Sequence, residues 1–308
     1  MATHPTSAPA IQVASAPVSW GIMESVETPA DYPYTRVLDE IAQAGFAGTE
    51  LGPYGYLPAE PKRLRQELQQ RKLVLCSAFV AIALGDAGAL AEGLAQVRRT
   101  AQLISAAGAK QLVLSDEITE ARSAVAGRRD EANRLSWTDA EWKTAIGAVR
   151  AVIEACRGFG LRVAFHHHVG THVETPEEIA RLLTSVPATD FGLCLDTGHY
   201  YYGGGDPAEL LRQFPGSVQW LHLKDVDAAR LAEARERQLD FHAGVRHGVF
   251  APLGQGAVDF AGVLALLQQQ GYRGWAVVEQ DVLPGGAGMQ APAVNATAAR
   301  AYLRQFGI

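Results

Sequence analysis

The chain is predicted to be an α/β protein, a closed (β/α)8 barrel, on three observations. Short β-like runs alternate with longer helical patterns eight times, which argues for parallel strands wrapped by helices. No linker interrupts the alternation, which argues for closure into one barrel rather than two open sheets. The 308 residues suit a single barrel of this kind, which commonly takes about 250. One domain is therefore assigned to residues 11–308, and residues 1–10, without a basic end or an apolar stretch, are expected to be a disordered tail rather than a secretory signal.

The elements follow in order. Residues 11–18 read as the first strand. A helix over 29–44 carries Val37, Leu38 and Ile41 at helical spacing, with Gly45 as its stop. Residues 46–51 form the second strand and 61–71 a helix; 73–82 is the third strand, followed by an Ala/Leu-rich helix over 87–107. The fourth strand, 111–114, precedes a helix over 137–159 that ends at Gly160. The fifth strand is 161–167, and the helix after it, 176–185, opens with proline, which suits a first helical turn. Strand six is 190–195 with a helix at 207–214, and strand seven is 218–223 with a helix at 258–270 that stops at Gly271. Strand eight, 275–279, is followed by a last helix over 291–306. Two connections, 115–136 and 225–257, are longer than a compact barrel needs. Both follow strands, so both are expected at the C-terminal mouth as lids or substrate walls.

Composition narrows the function. The 48% hydrophobic content argues against disorder. A net charge of −6, with no clustered Lys or Arg, counts against a nucleic-acid surface. No apolar run approaches the roughly 20 residues that span a bilayer. Cys76, Cys156 and Cys194 are odd in number and lack a CxxC partner, so buried free thiols in a reducing cytoplasm are expected. Gly203-Gly204-Gly205 lacks the residues that frame a phosphate loop and reads as a turn.

The chemical signal is positional. Eight of the nine histidines fall between residues 166 and 247, and carboxylates join them where predicted strands end. Strand two ends at Glu50, strand five at His166-His167-His168, strand six at Asp196, strand seven at His222 and strand eight at Glu279. Strand ends of a barrel converge on one mouth. Asp196, His222 and Glu279 thus supply three mixed N/O donors for a divalent metal, with Mn²⁺ or Co²⁺ expected first and Zn²⁺, Fe²⁺ or Mg²⁺ also served. Strand alternation puts His166 and His168 on one face and His167 on the other. The fourth donor is left open between this histidine run and Glu174. His242 and His247 are expected to be solvated.

These residues carry a resemblance. The blocks Ala16 to Gly21 (APVSWG), Gly48 to Pro58 (GTELGPYGYLP), Phe165 to Glu174 (FHHHVGTHVE), Leu195 to His199 (LDTGH), His222 to Asp225 (HLKD) and Val277 to Asp281 (VVEQD) span nearly the whole chain. The chain resembles the xylose isomerase-like barrels, and within them the inosose (2-keto-myo-inositol) dehydratases. The resemblance implies a metal held by Glu, Asp, His and Glu, which map to a first slot ending strand five, then Asp196, His222 and Glu279. That first slot holds His166 here, a departure that makes the site richer in nitrogen. It further implies a cytoplasmic enzyme acting on a small polyol or keto-sugar, and assembly into a homo-oligomer is compatible with such barrels.

The implied reaction is loss of water from a cyclic keto-polyol through an enediolate; sugar isomerisation or epimerisation through the same enediolate is the alternative. His199 or Lys224 is expected as the acid, and Glu50 or Glu174 as the base. Trp20, Tyr54 and Tyr56 are expected to wall the C–H face of the ring, with His168 contacting substrate.

Overall fold

The computed structural model describes residues 11–24, 29–186, 191–286 and 291–308. The tail expected at 1–10 and the first residue of the strand predicted from 190 lie outside the described residues.

Eight parallel strands close into a barrel: β1 (Ile11–Ser15), β2 (Gly48–Glu50), β3 (Val74–Ile82), β4 (Gln111–Asp116), β5 (Arg162–His166), β6 (Phe191–Asp196), β7 (Val218–Leu223) and β8 (Gly274–Val278). Each pairs with its neighbour in sequence, and β8 returns to β1 with Ser15 opposite Val278. Eight outer helices follow the strands: α1 (Tyr34–Ala44), α2 (Pro61–Gln70), α3 (Leu90–Ala107), α4 (Asp139–Arg157), α5 (Pro176–Ser185), α6 (Pro207–Gln213), α7 (Phe260–Gln269) and α8 (Pro292–Arg304).

Boundaries shift where a proline or a cap decides them. β1 stops at Ser15 because Pro17 opens a 3₁₀ turn, Pro17–Trp20, which Gly21 closes at a φ of 74°. A side chain there would strain the left-handed backbone. α1 starts five residues later than expected, since Pro33 is extended and the helix begins behind it. α4 and α5 each open on a capping box, Thr138 with Glu141 and Thr175 with Glu178, in which each side chain satisfies the other residue's backbone N–H.

Period-two alternation sorts the strand residues. Leu193, Leu195, Leu221, Leu223, Ala276 and Val278 pack outward beneath the helices. Cys194, Trp220 and Val277 point to the barrel axis, where they meet Ala14, Ala16 and Ala164. The small residues leave room for Trp220. The same parity carries Asp196, His222 and Glu279 to the axis one layer higher. All three cysteines are buried and free.

The two long connections are structured. The first holds short helices at Glu120–Ser123 and Arg129–Arg134. Its Arg122, fully buried, donates to both oxygens of Glu178 at 2.9 and 3.0 Å, which fastens the loop to α5. The second holds helices at Ala228–Glu236 and Phe241–His247, and a two-stranded antiparallel ribbon pairs Asp225–Val226 with Phe250–Ala251. Asp225 accepts backbone N–H bonds from Val226, Gly254, Gly256 and Val258 at 2.8–3.1 Å, pinning both ends of that loop.

Candidate metal centre

Parallel register brings the strand ends together: Asp196 lies across from His222, and Glu279 stands two residues beyond the Val277 that pairs with His222. His166, Asp196, His222 and Glu279 present ligand atoms that all lie within 4.8 Å of one another, and all four are buried. His222 Nδ1 is 3.2 Å from Glu279 Oε2 and 3.9 Å from Asp196 Oδ2, while His166 Nε2 is 3.4 Å from Asp196 Oδ2.

The donor set fits a divalent cation. His222 Nδ1, which faces the two carboxylates, is buried with no hydrogen-bond partner among the described residues, an arrangement that is costly unless something fills it. On its other side His222 Nε2 donates to Glu50 Oε1 at 3.0 Å, which leaves Nδ1 aimed at the two carboxylates. Carboxylates behind ligating imidazoles orient the ring in this way. Glu50 Oε1 also accepts from the Ser77 hydroxyl at 2.6 Å and from Trp220 Nε1 at 3.1 Å, so the barrel interior holds the carboxylate in place.

Electrostatics sorts the group further. Burial lowers the His166 pKa, with Asp196 opposing, and keeps its imidazole neutral. Burial opposes the charge of His222, but Cys194, Glu279 and Glu50 outweigh it and raise its pKa. Burial likewise opposes ionisation of Asp196 and Glu279. Lys224 and His199 overcome it at Asp196, and His222 and Lys224 overcome it at Glu279, so both carboxyls are held below their ordinary range.

Lys224, 2% exposed, stands beside the cluster. Its Nζ donates to Asp281 Oδ1 at 2.7 Å and lies 3.3 Å from both Asp196 Oδ2 and Glu279 Oε2. Burial alone would favour the neutral amine, but Asp196, Asp281 and Glu279 raise its pKa and keep it an ammonium.

A cavity of about 390 Å³ adjoins this cluster. It is lined by Glu50, His166, His168, His222, Lys224, Glu279 and Asp281, and by the apolar Val18, Ile22, Phe79, Ile118 and Phe241. Both long connections reach it, one through Glu117 and Ile118 just after Asp116 at the end of β4, the other through Phe241 and His242. His168 Nδ1 sits 2.7 Å from the Val169 carbonyl and must donate to it, which leaves Nε2 as an acceptor.

Several expected residues lie elsewhere. Trp20 is 0% exposed, packs in the main core and donates to Glu40 Oε2 at 2.6 Å, so it is not a substrate wall. Tyr56 packs against the same core and donates its hydroxyl to the Tyr32 carbonyl. Tyr54 is 40% exposed under the Arg99 guanidinium and lines an adjoining cavity instead. His199 does not line the main cavity; its ring centre lies 3.8 Å from that of His168, tilted by 37°, and its Nε2 is 3.0 Å from Lys224 Nζ. Glu174 is buried away from the cavity, accepting from the backbone of Gly127 and Gly170 at 2.8 Å, with Arg122 3.7 Å away, so its oxygens are already engaged. His167 turns from the centre and stacks edge-on against Tyr200. His247 binds Glu233 near the surface, whereas His242 lines the cavity rather than facing solvent alone.

Asp281, Asp116 and Glu117 are cavity residues to which the sequence reading gave no role, and His242, expected to be solvated, joins them. Asp281 had a signal, since it stands two residues after Glu279 and so shares its face. Asp116 had a weaker one: the fourth strand runs two residues beyond the expected end and carries it to the mouth.

Comparison with known proteins agrees with this architecture. A family profile described as the xylose isomerase-like TIM barrel matches residues 38–305. The chain is 32% identical over 277 residues to an inosose dehydratase of Geobacillus kaustophilus, covering 90% of this chain and 89% of that protein. It is 35% identical over 277 residues to the rhizopine catabolism protein MocC of Rhizobium meliloti, covering 90% of this chain and 83% of that protein. Among solved structures, a D-allulose 3-epimerase from Methylomonas sp. in complex with D-allulose superposes with a TM-score of 0.70 at 16% identity, over 97% of this chain and 98% of that one. The IOLI protein with a bound zinc atom superposes at 0.69 and 16% identity, over 96% of each chain, and both structures speak to the fold alone. With its closed eight-stranded cylinder and its match across residues 38–305, the chain belongs to the xylose isomerase-like TIM barrel family, in the same homologous group as the inosose dehydratases.

Proposed function

We propose that the protein is a divalent-metal-dependent dehydratase of a cyclic keto-polyol of the inosose kind, working in the cytoplasm. The observation that carries the reading is the buried four-donor cluster, three of whose members, His166, His222 and Glu279, line a cavity walled by both polar and apolar side chains. Relatives named inosose dehydratases at about a third identity over nine-tenths of the chain support the substrate class.

His166, Asp196, His222 and Glu279 would hold the ion, Mn²⁺ or Co²⁺ in first place. Such an ion supplies Lewis acidity at the substrate carbonyl and stabilises the negative charge that forms when the α-proton leaves. The rest is done by this chain's side chains. Glu50 Oε1 is committed to Ser77, Trp220 and His222. Its Oε2 makes none of these bonds and is the oxygen left to accept the α-proton. Hydroxide is a poor leaving group, so departure of the β-hydroxyl needs a proton, and the Lys224 ammonium facing the cavity supplies it. General acid–base help of this kind typically contributes about 10²–10⁴-fold. His168 Nε2 accepts from a substrate hydroxyl, and Val18, Ile22, Phe79, Ile118 and Phe241 supply the apolar part of the wall. Asp281 and His199 act behind Lys224 rather than on the substrate.

The test is to strip the protein with a chelator, restore Mn²⁺ or Co²⁺, add inosose and scan in the ultraviolet. Growth of a conjugated dione band that requires the metal is expected. Interconversion of ketoses without that band would replace the dehydratase reading by an isomerase or epimerase one.

A further inference from the structure

Lys224 is seated more closely than a proton donor requires. Its backbone is tied twice to Thr197, whose hydroxyl accepts from Lys224 N at 3.0 Å and donates to Lys224 O at 2.8 Å. Gly198 makes the approach possible, because a Cβ there would stand 2.7 Å from Lys224 Cγ. The ammonium lies over the Phe250 ring, 5.1 Å from its centroid, beside His199 Nε2 at 3.0 Å. Of three neighbouring carboxylates, Asp281 is the nearest at 2.7 Å, while Asp196 and Glu279 stand back at 3.3 Å. Those last two are the carboxylates that the metal centre needs.

A fixed cation this close repels a second one, and within a poorly screened interior the repulsion is strong. The position of the ammonium among the three carboxylates therefore sets how much negative charge Asp196 and Glu279 have left to offer. We propose that Asp281 is a positioning residue that docks the Lys224 ammonium and holds it back from Asp196 and Glu279, so that these two remain free to bind a divalent ion. Without Asp281, Lys224 swings onto the ligand carboxylates and competes with the ion as an internal cation. The proposal rests on the metal reading of the cluster.

The test is titration of the metal-free full-length protein with Co²⁺, read by calorimetry and by visible absorption, with no turnover measured. The wild type is expected to bind one ion. Asp281→Asn should weaken binding at least about tenfold, and Asp281→Glu should restore most of it. Lys224→Met should bind more tightly than the wild type, and adding Asp281→Asn to Lys224→Met should then change affinity less than about threefold. An equal loss in both backgrounds would show that Asp281 acts on the ion directly, which overturns the proposal. So would a second ion in the wild type held by His168, His199 and Asp281, whose ligand atoms also lie within 4.8 Å of one another. If Asp281→Asn fails to fold by circular dichroism, Lys224→Met alone decides, and unchanged or weaker binding there overturns it. No Co²⁺ binding in the wild type would instead sink the metal reading itself, whereas normal binding with no effect of Asp281→Asn would sink only this inference.

Discussion

Asp196 and Glu279 carry the negative charge of the proposed centre, and each is buried beside a histidine and Lys224. Replacing either by alanine removes a ligand and leaves Lys224 less compensated. Metal retained after desalting should fall below about a tenth of the wild-type content, and turnover should fall with it, since loss of one ligand or of its support typically costs 10–100-fold or more. His247→Ala, which removes only the contact to Glu233 near the surface, should leave both within a factor of about two. Atomic-absorption measurement on the purified variants checks the three together; a Glu279→Ala protein with full metal would mean that Glu279 is no ligand. The grouping of Asp196, His222 and Glu279 was readable before any coordinates because strand alternation and barrel convergence are both simple periodic rules. The misplacement of Trp20, Tyr56 and Glu174 has the opposite cause. Each follows a strand end by several residues, where a turn rather than a periodicity aims the side chain. For Trp20 that turn is the 3₁₀ segment after Pro17, which sends the indole down to Glu40.

At the scale of elements, the first long connection is fastened by one buried charge. Arg122 bridges Glu178 at the start of α5 and also donates to the Ala132 carbonyl, tying down the loop that supplies Glu117 and Ile118 to the cavity. Arg122→Met should cost about 3–5 kcal/mol, because it strands two buried glutamates. Urea unfolding measures that cost, and limited proteolysis should show earlier cutting between 117 and 136 in the variant. A loss under about 1 kcal/mol would mean that the loop is held by its apolar contacts instead. The lengths of both connections announced walls for the mouth, but their internal helices were not visible. Segments such as Glu120–Ser123 and Thr197–Tyr202 are too short to show a helical period, and side-chain caps from Thr119 and Asp196 define them instead.

For the molecule as a whole, the sign of its pH response is set in part by Glu174. Burial pushes this carboxyl up to about 7, despite the backbone N–H groups of Gly170 and Gly127 and the charge of Arg122. An acid whose folded pKa lies above its unfolded value holds a proton in the folded state that the unfolded chain has released. Its contribution to stability is therefore largest below about pH 4.5 and declines as the pH rises toward 7. Thermal unfolding should show the wild type losing more stability between pH 5 and pH 8 than Glu174→Gln does, although the variant starts lower because one backbone N–H then faces an amide NH₂. An equal pH slope in the two proteins would remove Glu174 as its source. The fold at this scale was the most legible of all, since eight repeats of one pattern average out errors at single boundaries. Closure was legible too, from the unbroken alternation, but register was not, because it depends on pairs of residues far apart in the chain.

The ring of strands has no first or last member. Every rung of backbone inside it is already matched to a neighbour, so a stray peptide finds no open ladder to extend. Any union with a second copy must then be made by helices and loops on the outside, leaving the shape of the inner staves untouched by whatever company the molecule keeps.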